Sequence, residues 1–341
     1  MRSTWGGIVK NNLFLFLAVL LMSGAVQAAE GDRICEAHSS PPATLGEVPE
    51  VICMYEPNTV GFTKDSDDKL FMDFKLSVRA QILPETFTGL IGSNKAVYFA
   101  YTGRLAQYLL TRDSSPVVGK RYNPQLFARW WYGPCHGEKG CPDSYVDFIL
   151  AHESNGQSIH TAAALDVAKA AEAAKKDGKA EFAYDQISRG WDYVSVKWKS
   201  DKFLQKGSNM GDGEKAGSDF DLSTYVGLRY FLKRGPFQGE AEQFDPRWET
   251  DAEGKLRNRV DGLDLMAKGI AYNTAVTKYA LILTTGYVKP FHYNTVRFEL
   301  GLKIRDGLPF TVWYQDGYNS DLAQYYKKVR SFGAIYEFGS F

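Results

Sequence analysis

The sequence predicts an all-β fold, a transmembrane antiparallel β-barrel of about twelve strands, on three observations. Apolar and polar residues alternate with period two over stretches of about ten residues, the length that crosses a bilayer when tilted. Met72, Phe74, Leu76, Val78 and Ala80 alternate with Asp73, Lys75, Ser77 and Arg79. Val296, Phe298, Leu300, Leu302 and Ile304 alternate with Arg297, Glu299, Gly301 and Lys303, and Val226 to Lys233 follows the same rule. Short turns then alternate with long polar connections, and the chain ends on an aromatic residue, Phe341. A soluble β-sandwich alternates too, but its strands need not span a bilayer. A closed barrel instead turns the apolar face to lipid and leaves no edge unpaired.

Composition agrees by exclusion. The 341 residues hold 40 Lys+Arg and 40 Asp+Glu, a formal net charge of zero, which lacks the basic excess of a nucleic-acid binder. A polytopic helical membrane protein needs repeated apolar runs of about 20 residues, and only the N-terminus approaches one. The 20 Tyr, 21 Phe and 7 Trp argue against disorder and suit interface girdles.

Residues 1–28 have the pattern of a secretory signal peptide. Arg2 and Lys10 precede the apolar run Leu13 to Leu21, and small residues allow cleavage after Ala28. Export permits disulfides. Cys35 and Cys53 lie in a segment expected in the periplasm, 29–55, and Cys135 and Cys141 flank a polar turn. Three connectivities are open, the local pairs being the simplest; the spacing beside His136 matches no standard zinc pattern.

The barrel is expected over 56–341. Its strands fall near 56–64, 69–82, 96–110, 124–132, 144–154, 188–200, 219–233, 260–272, 276–287, 293–304, 308–317 and 330–341. An even count returns both termini to the periplasm. Surface-side loops are then 65–68, 111–123, 155–187, 234–259, 288–292 and 318–329, with the long connection 201–218 on the periplasmic side. Within the insertion 159–187, the Ala-rich run 162–176 predicts a short exposed helix ending near Gly178.

One segment breaks the lipid-face rule. Val146, Phe148 and Leu150 set an outward face, and continuing by twos puts His152 and Ser154 on it. On the next strand Asp192 shares parity with Val194, Val196 and Trp198. Antiparallel strands joined at their outer ends bring Asp192 near His152. A lipid-facing serine, histidine and carboxylate are costly, and a triad would justify them. Ser154 would be the nucleophile, His152 the general base, and Asp192 the group that orients the imidazole. The plainer alternative is that they solvate the rim in the headgroup zone.

The segment His152-Glu153-Ser154-Asn155-Gly156-Gln157-Ser158 resembles the active-site motif of the outer-membrane phospholipase A family, His-Asp-Ser-Asn-Gly-Arg-Ser. Asp113-Ser114-Ser115-Pro116, Tyr122-Asn123-Pro124-Gln125-Leu126-Phe127 and Ser188-Arg189-Gly190-Trp191-Asp192 resemble its flanking segments. The resemblance implies a calcium-dependent phospholipase A1, with A2 and lysophospholipase activities alongside, that acts as a homodimer in the bacterial outer membrane with its site toward the outer leaflet. It implies an oxyanion-hole N–H from Gly156. It also implies Ca²⁺ held by the Ser188 hydroxyl, the Gln157 carbonyl and a carbonyl from Ser114 of the partner subunit; oxygen ligands suit that ion. Three departures stand out: Asp192 where the family has Asn, Gln157 where it has Arg, and the long 159–187 insertion, which could cover the site.

The remaining candidates have plainer explanations. His38, His160 and His292 lack partner constellations, Asp65 to Asp68 suit a solvated turn, and Arg79, Arg229, Arg297 and Glu299 are expected to fill the lumen with a polar network. The rival functions are a passive porin without catalytic activity and a structural barrel or adhesin using its loops. Neither has a use for the His-x-Ser-x-Gly segment.

Overall fold

The computed structural model describes residues 52–67, 69–82, 95–109, 117–132, 144–175, 178–200, 220–232, 235–237, 256–271, 275–304 and 308–338. Strand β1 (Cys53–Met54) precedes β2 (Asn58–Asp65), β3 (Leu70–Gln81), β4 (Lys95–Tyr108), β5 (Val118–Trp131), β6 (Tyr145–Ser154), β7 (Gly190–Ser200) and β8 (Phe220–Phe231). The others are β9 (Gly262–Ala271), β10 (Val276–Gly286), β11 (Thr295–Ile304), β12 (Leu308–Gly317) and β13 (Val329–Phe338). From β2 to β13 each strand pairs antiparallel with its neighbour, and β13 returns to pair with β2. The result is a closed ring of twelve strands with one extra strand outside it. Closure leaves the ring without an open edge, which is what a spanning sheet requires.

The alternation translates directly into two faces. Phe62, Leu76, Phe99, Leu126, Phe148, Val196, Leu228, Leu281, Phe298 and Phe332 stand exposed on the outer surface. Their neighbours along the strands point inward: Asp73, Asp147, Lys278 and Glu299 are all buried.

Two boundaries differ from expectation. Strand β5 begins at Val118 rather than near 124, because pairing with β4 runs on through Tyr101↔Pro124 to Arg104↔Arg121, then across a register shift to Ala106↔Val118. The surface loop before it is correspondingly shorter. The extra strand β1 pairs with Arg79 and Val78 of β3, the strand that β2 pairs with further along. Between β1 and β2, Tyr55 and Glu56 turn into the lumen. Tyr55 donates to Gln125 Oε1 at 3.4 Å and stacks near Phe127, while Glu56 meets Lys75 Nζ at 3.1 Å. Cys53 is disulfide-bonded. Cys35, Cys135, Cys141, the signal peptide, His38 and most of 234–259 lie outside the described residues.

The lumen is a bonded network, as the inward charges suggest. Arg129 forks onto Asp147 (2.7 and 2.8 Å) and lies 3.6 Å over the Tyr145 ring. Lys278 bridges Glu299 (2.8 Å) and Glu337 (2.6 Å), and Arg297 reaches Glu299 at 2.7 Å. Arg229 reaches Asp261 at 3.2 Å, and Arg79 lies over Tyr98. The aromatics, however, do not all belong to the outer surface. Tyr98, Phe127, Trp131, Trp191, Tyr193, Phe231 and Tyr325 form an inner cluster with Ile149, Ala151 and Leu322. This cluster backs the β4–β8 wall from inside.

The surface connections fold together. The insertion carries helix α1 (Ala162–Ala173), capped by the Thr161 hydroxyl accepting from Ala164 N at 3.2 Å, and a 3₁₀ helix (Ala180–Gln186). Leu165, Ala183 and Ile187 pack against Ala323 of the β12–β13 connection. Asp185 accepts from Tyr108 Oη (2.7 Å) and Gln324 Nε2 (2.8 Å). The insertion is thereby tied to the β4 end and the β12–β13 loop. Burial, reinforced by the charge of Asp185, pushes the Asp321 carboxyl above its usual range. The aspartates at 65–67 form a turn, with Asp65 Oδ1 accepting from Asp67 N and Lys69 N.

Arg129 supplies a test of the network. Arg129→Met should leave Asp147, 1% exposed, as an uncompensated buried charge at a cost of about 3–5 kcal/mol. Arg129→Met with Asp147→Leu should recover most of that loss. Urea unfolding of the detergent-solubilised barrel measures both, and equal losses in single and double variants would refute the account.

Candidate active site

The site lies where β6 and β7 leave the wall. Their register pairs His152 with Asp192 and Ser154 with Gly190. Along β6, Val146, Phe148, Leu150, His152 and Ser154 are partly or fully exposed, while Asp147, Ile149, Ala151 and Glu153 are buried. The histidine and the serine therefore occupy the outward face, two residues apart.

His152 Nδ1 lies 2.6 Å from Asp192 Oδ1. A carboxylate can only accept, so Nδ1 donates this bond, and in the neutral imidazole Nε2 is then the nitrogen with the lone pair. The Cε1 edge of the ring and Ser154 both border Gly190: a Cβ built there would sit 3.5 Å from His152 Cε1 and from Ser154 Cβ. The missing side chain at 190 leaves that space open. Asp192 is fully buried although its parity is outward. Its second oxygen accepts from the backbone N–H of Phe237 at 2.7 Å, and Leu232 N donates to its carbonyl at 2.8 Å. The sequence alone gave no sign of this cover, because residues 235–237 carry no alternation.

Glu153, between the two outward residues, points inward and meets Arg257 at 2.6 Å and Arg121 at 3.5 Å. Arg257 belongs to the short helix α2 (Arg257–Val260) and also bonds Asp261 at 2.7 Å. Although burial works the other way, Arg229 and Arg257 hold the Asp261 carboxyl well below its usual range. The end of β6 is thus fastened from the lumen through an ion cluster. Its parity marked Glu153 as inward, but its partners, distant in sequence, were invisible.

Beyond Ser154 the chain stays pinned. Asn155, 1% exposed, donates to the Ile187 carbonyl at 2.7 Å and accepts from Arg189 N (2.9 Å) and Gln157 N (3.3 Å). Ile159 and Ile187 form a parallel bridge, with Ser188 N donating to Ile159 O at 2.8 Å. Gly156 has φ +56°, and a Cβ there would come within 3.0 Å of Tyr122 Cε2. That left-handed conformation favours glycine.

Gln157 and Ser188 are therefore brought into neighbouring stretches of chain, with Gln157 largely buried and Ser188 half-buried. The Gln157 side chain reaches Val117 O at 3.5 Å. Ser114 lies outside the described residues. Among the described residues no group of three His, Cys, Asp or Glu could hold a metal. A hydroxyl and a backbone carbonyl are nonetheless neutral hard oxygens that suit calcium. The contacts that fix the insertion are hydrogen bonds of Asp185 with Tyr108 and Gln324 and apolar packing against Ala323. His160 is exposed, and His292 packs edge-on against Tyr293.

This arrangement can be set beside known proteins. Residues 54–179 match the phospholipase A1 family. The matched span includes His152, Ser154, Gly156 and Gln157 and stops short of Ser188 and Asp192. The barrel also superposes on outer membrane phospholipase A from Escherichia coli, with a TM-score of 0.56 at 14% identity, covering 90% of this chain and 97% of that one. The calcium-bound outer membrane phospholipase dimer of Salmonella typhi gives a TM-score of 0.54 at 14% identity, with coverages of 86% and 94%. No curated protein matches by sequence. The fold is that of a bacterial outer-membrane β-barrel.

Asn155 can be tested by itself. Asn155→Ala removes its bonds to buried backbone at 187 and 189 and should cost about 1–3 kcal/mol locally. Hydrogen exchange should quicken at 155–159 and 186–190 while the β9–β12 amides stay protected. Unchanged exchange at those two segments would refute the pinning role.

Proposed function

We propose that the protein is a calcium-dependent outer-membrane phospholipase that cleaves acyl esters of phospholipids through Ser154, His152 and Asp192. The observation that carries this reading is the 2.6 Å contact between His152 and a fully buried Asp192 on a face otherwise given to lipid, within a chain whose residues 54–179 match phospholipase A1. Polar groups are expensive there, and a bilayer-facing nucleophile meets lipid esters.

In the reaction, Ser154 Oγ attacks the ester carbonyl while His152 Nε2 takes its proton. Asp192 holds the imidazole tautomer and stabilises the imidazolium. The carbonyl oxygen becomes an oxyanion, for which Gly156 would offer its N–H. Collapse expels the lysophospholipid alkoxide, which takes the proton from His152 and leaves an acyl-serine. Water, deprotonated by His152, then releases the fatty acid and restores Ser154. Calcium, held by the Ser188 hydroxyl, the Gln157 carbonyl and a carbonyl from Ser114 of the partner subunit, would supply positive charge near the oxyanion. The need for a partner's ligand makes a homodimer the active form in this reading. The porin alternative has no use for a lumen whose inward charges pair with one another, as in Arg129–Asp147, Lys278–Glu337 and Arg257–Glu153.

Ser154→Ala should lower phospholipid hydrolysis in detergent by at least about 10³-fold while keeping a heat-modifiable barrel. Full activity in that variant would sink the triad. EDTA should silence the wild type, with recovery on adding Ca²⁺; turnover resistant to EDTA would remove the calcium role and leave the triad standing.

A further inference from the structure

Resting on the triad reading, we infer that the strap Gly235-Pro236-Phe237 is a positioning element that accepts only a carboxylate at position 192. The strap continues from β8. Leu232 N–H pairs with the Asp192 carbonyl at 2.8 Å, and residues 235–237 lie against the Asp192 side chain. Phe237 N–H donates to Asp192 Oδ2 at 2.7 Å. Gly235 lies so close that an added Cβ would fall 2.0 Å from Oδ2 and 2.4 Å from Cγ. Only glycine permits this approach, and Pro236, lacking an N–H, leaves Phe237 the next donor along the strap.

The consequence follows from donor and acceptor identity. Asp192 has two oxygens, and each accepts one bond: Oδ1 from His152 and Oδ2 from Phe237. An asparagine could fill this slot in two orientations, and both fail. With its oxygen toward His152, its NH₂ confronts the Phe237 N–H, donor against donor. With its oxygen toward Phe237, its NH₂ donates to His152 Nδ1, which moves the ring proton to Nε2, so Nε2 cannot receive the Ser154 proton. The strap thus accounts for aspartate rather than an amide. It also removes the carboxylate from lipid, since Asp192 is fully buried while His152 remains 21% exposed at its side chain.

A double-mutant cycle tests the coupling. Asp192→Asn should lower kcat in the wild-type strap by at least about tenfold more than in a Phe237→Pro background, where the opposing N–H is gone. In a Phe237→Ala background, which keeps the N–H and removes the ring, the penalty for Asp192→Asn should equal that in wild type. Gly235→Ala, which displaces the strap, should lower kcat with little change in KM and weaken the downfield His152 Nδ1–H proton resonance. Heat modifiability confirms folding of each variant. A penalty for Asp192→Asn that is the same in the wild-type and Phe237→Pro backgrounds, with Ser154 still essential, would overturn the strap's role alone. Dispensability of Ser154 would overturn the triad and the strap together.

Discussion

Closure of the sheet is the constraint on which everything else depends. Once β13 pairs with β2 and β3 pairs with β4, no strand can slip by one residue without exchanging its lipid and lumen faces. Parity then becomes a property of the whole ring. Ser154 faces outward because Phe148 does, and Glu153 faces inward because Asp147 does. The wall holds a polar site toward lipid only because the register cannot relax to hide it.

That rigidity is reinforced from inside. Behind His152 and Ser154 the wall carries Ile149, Ala151 and Glu153, backed by Trp191, Tyr193 and Phe231. The Glu153–Arg257–Asp261 cluster fastens the upper end of β6. Asn155 fastens the turn that follows. Each outward polar residue therefore sits beside an inward one that is bonded elsewhere, so a side chain facing a fluid bilayer is aimed by contacts on the lumen side.

The parts legible in the sequence were those governed by period two. Alternation located all twelve ring strands, most of them within about two residues, and placed His152, Ser154 and Asp192 on one face. It missed the early start of β5 because Pro124 looks like a strand boundary, whereas in the ring its neighbours continue the ladder with β4. It missed β1 because two residues carry no period. The inner aromatic cluster was also hidden, since alternation distinguishes two faces but not a lipid face from a packed lumen when both are apolar. Tyr98 and Phe99 are adjacent and both aromatic, yet one is buried and the other exposed.

The burial of Asp192 shows a deeper limit of such pattern reading. By parity it belongs on the lipid face, where an unpaired carboxylate would be untenable. The conflict is resolved by two bonds and a close glycine, not by moving the residue. His152 covers it along the wall, and the strap covers it from β8. A charge on a lipid-facing position is therefore affordable when its two oxygens are both spoken for by donors that also shut out the bilayer. With Oδ2 taken by the Phe237 N–H, Oδ1 is left to accept from His152 Nδ1, so the arrangement that makes the carboxylate tolerable in the wall is also the one that, in the proposed mechanism, would ready the imidazole as a base.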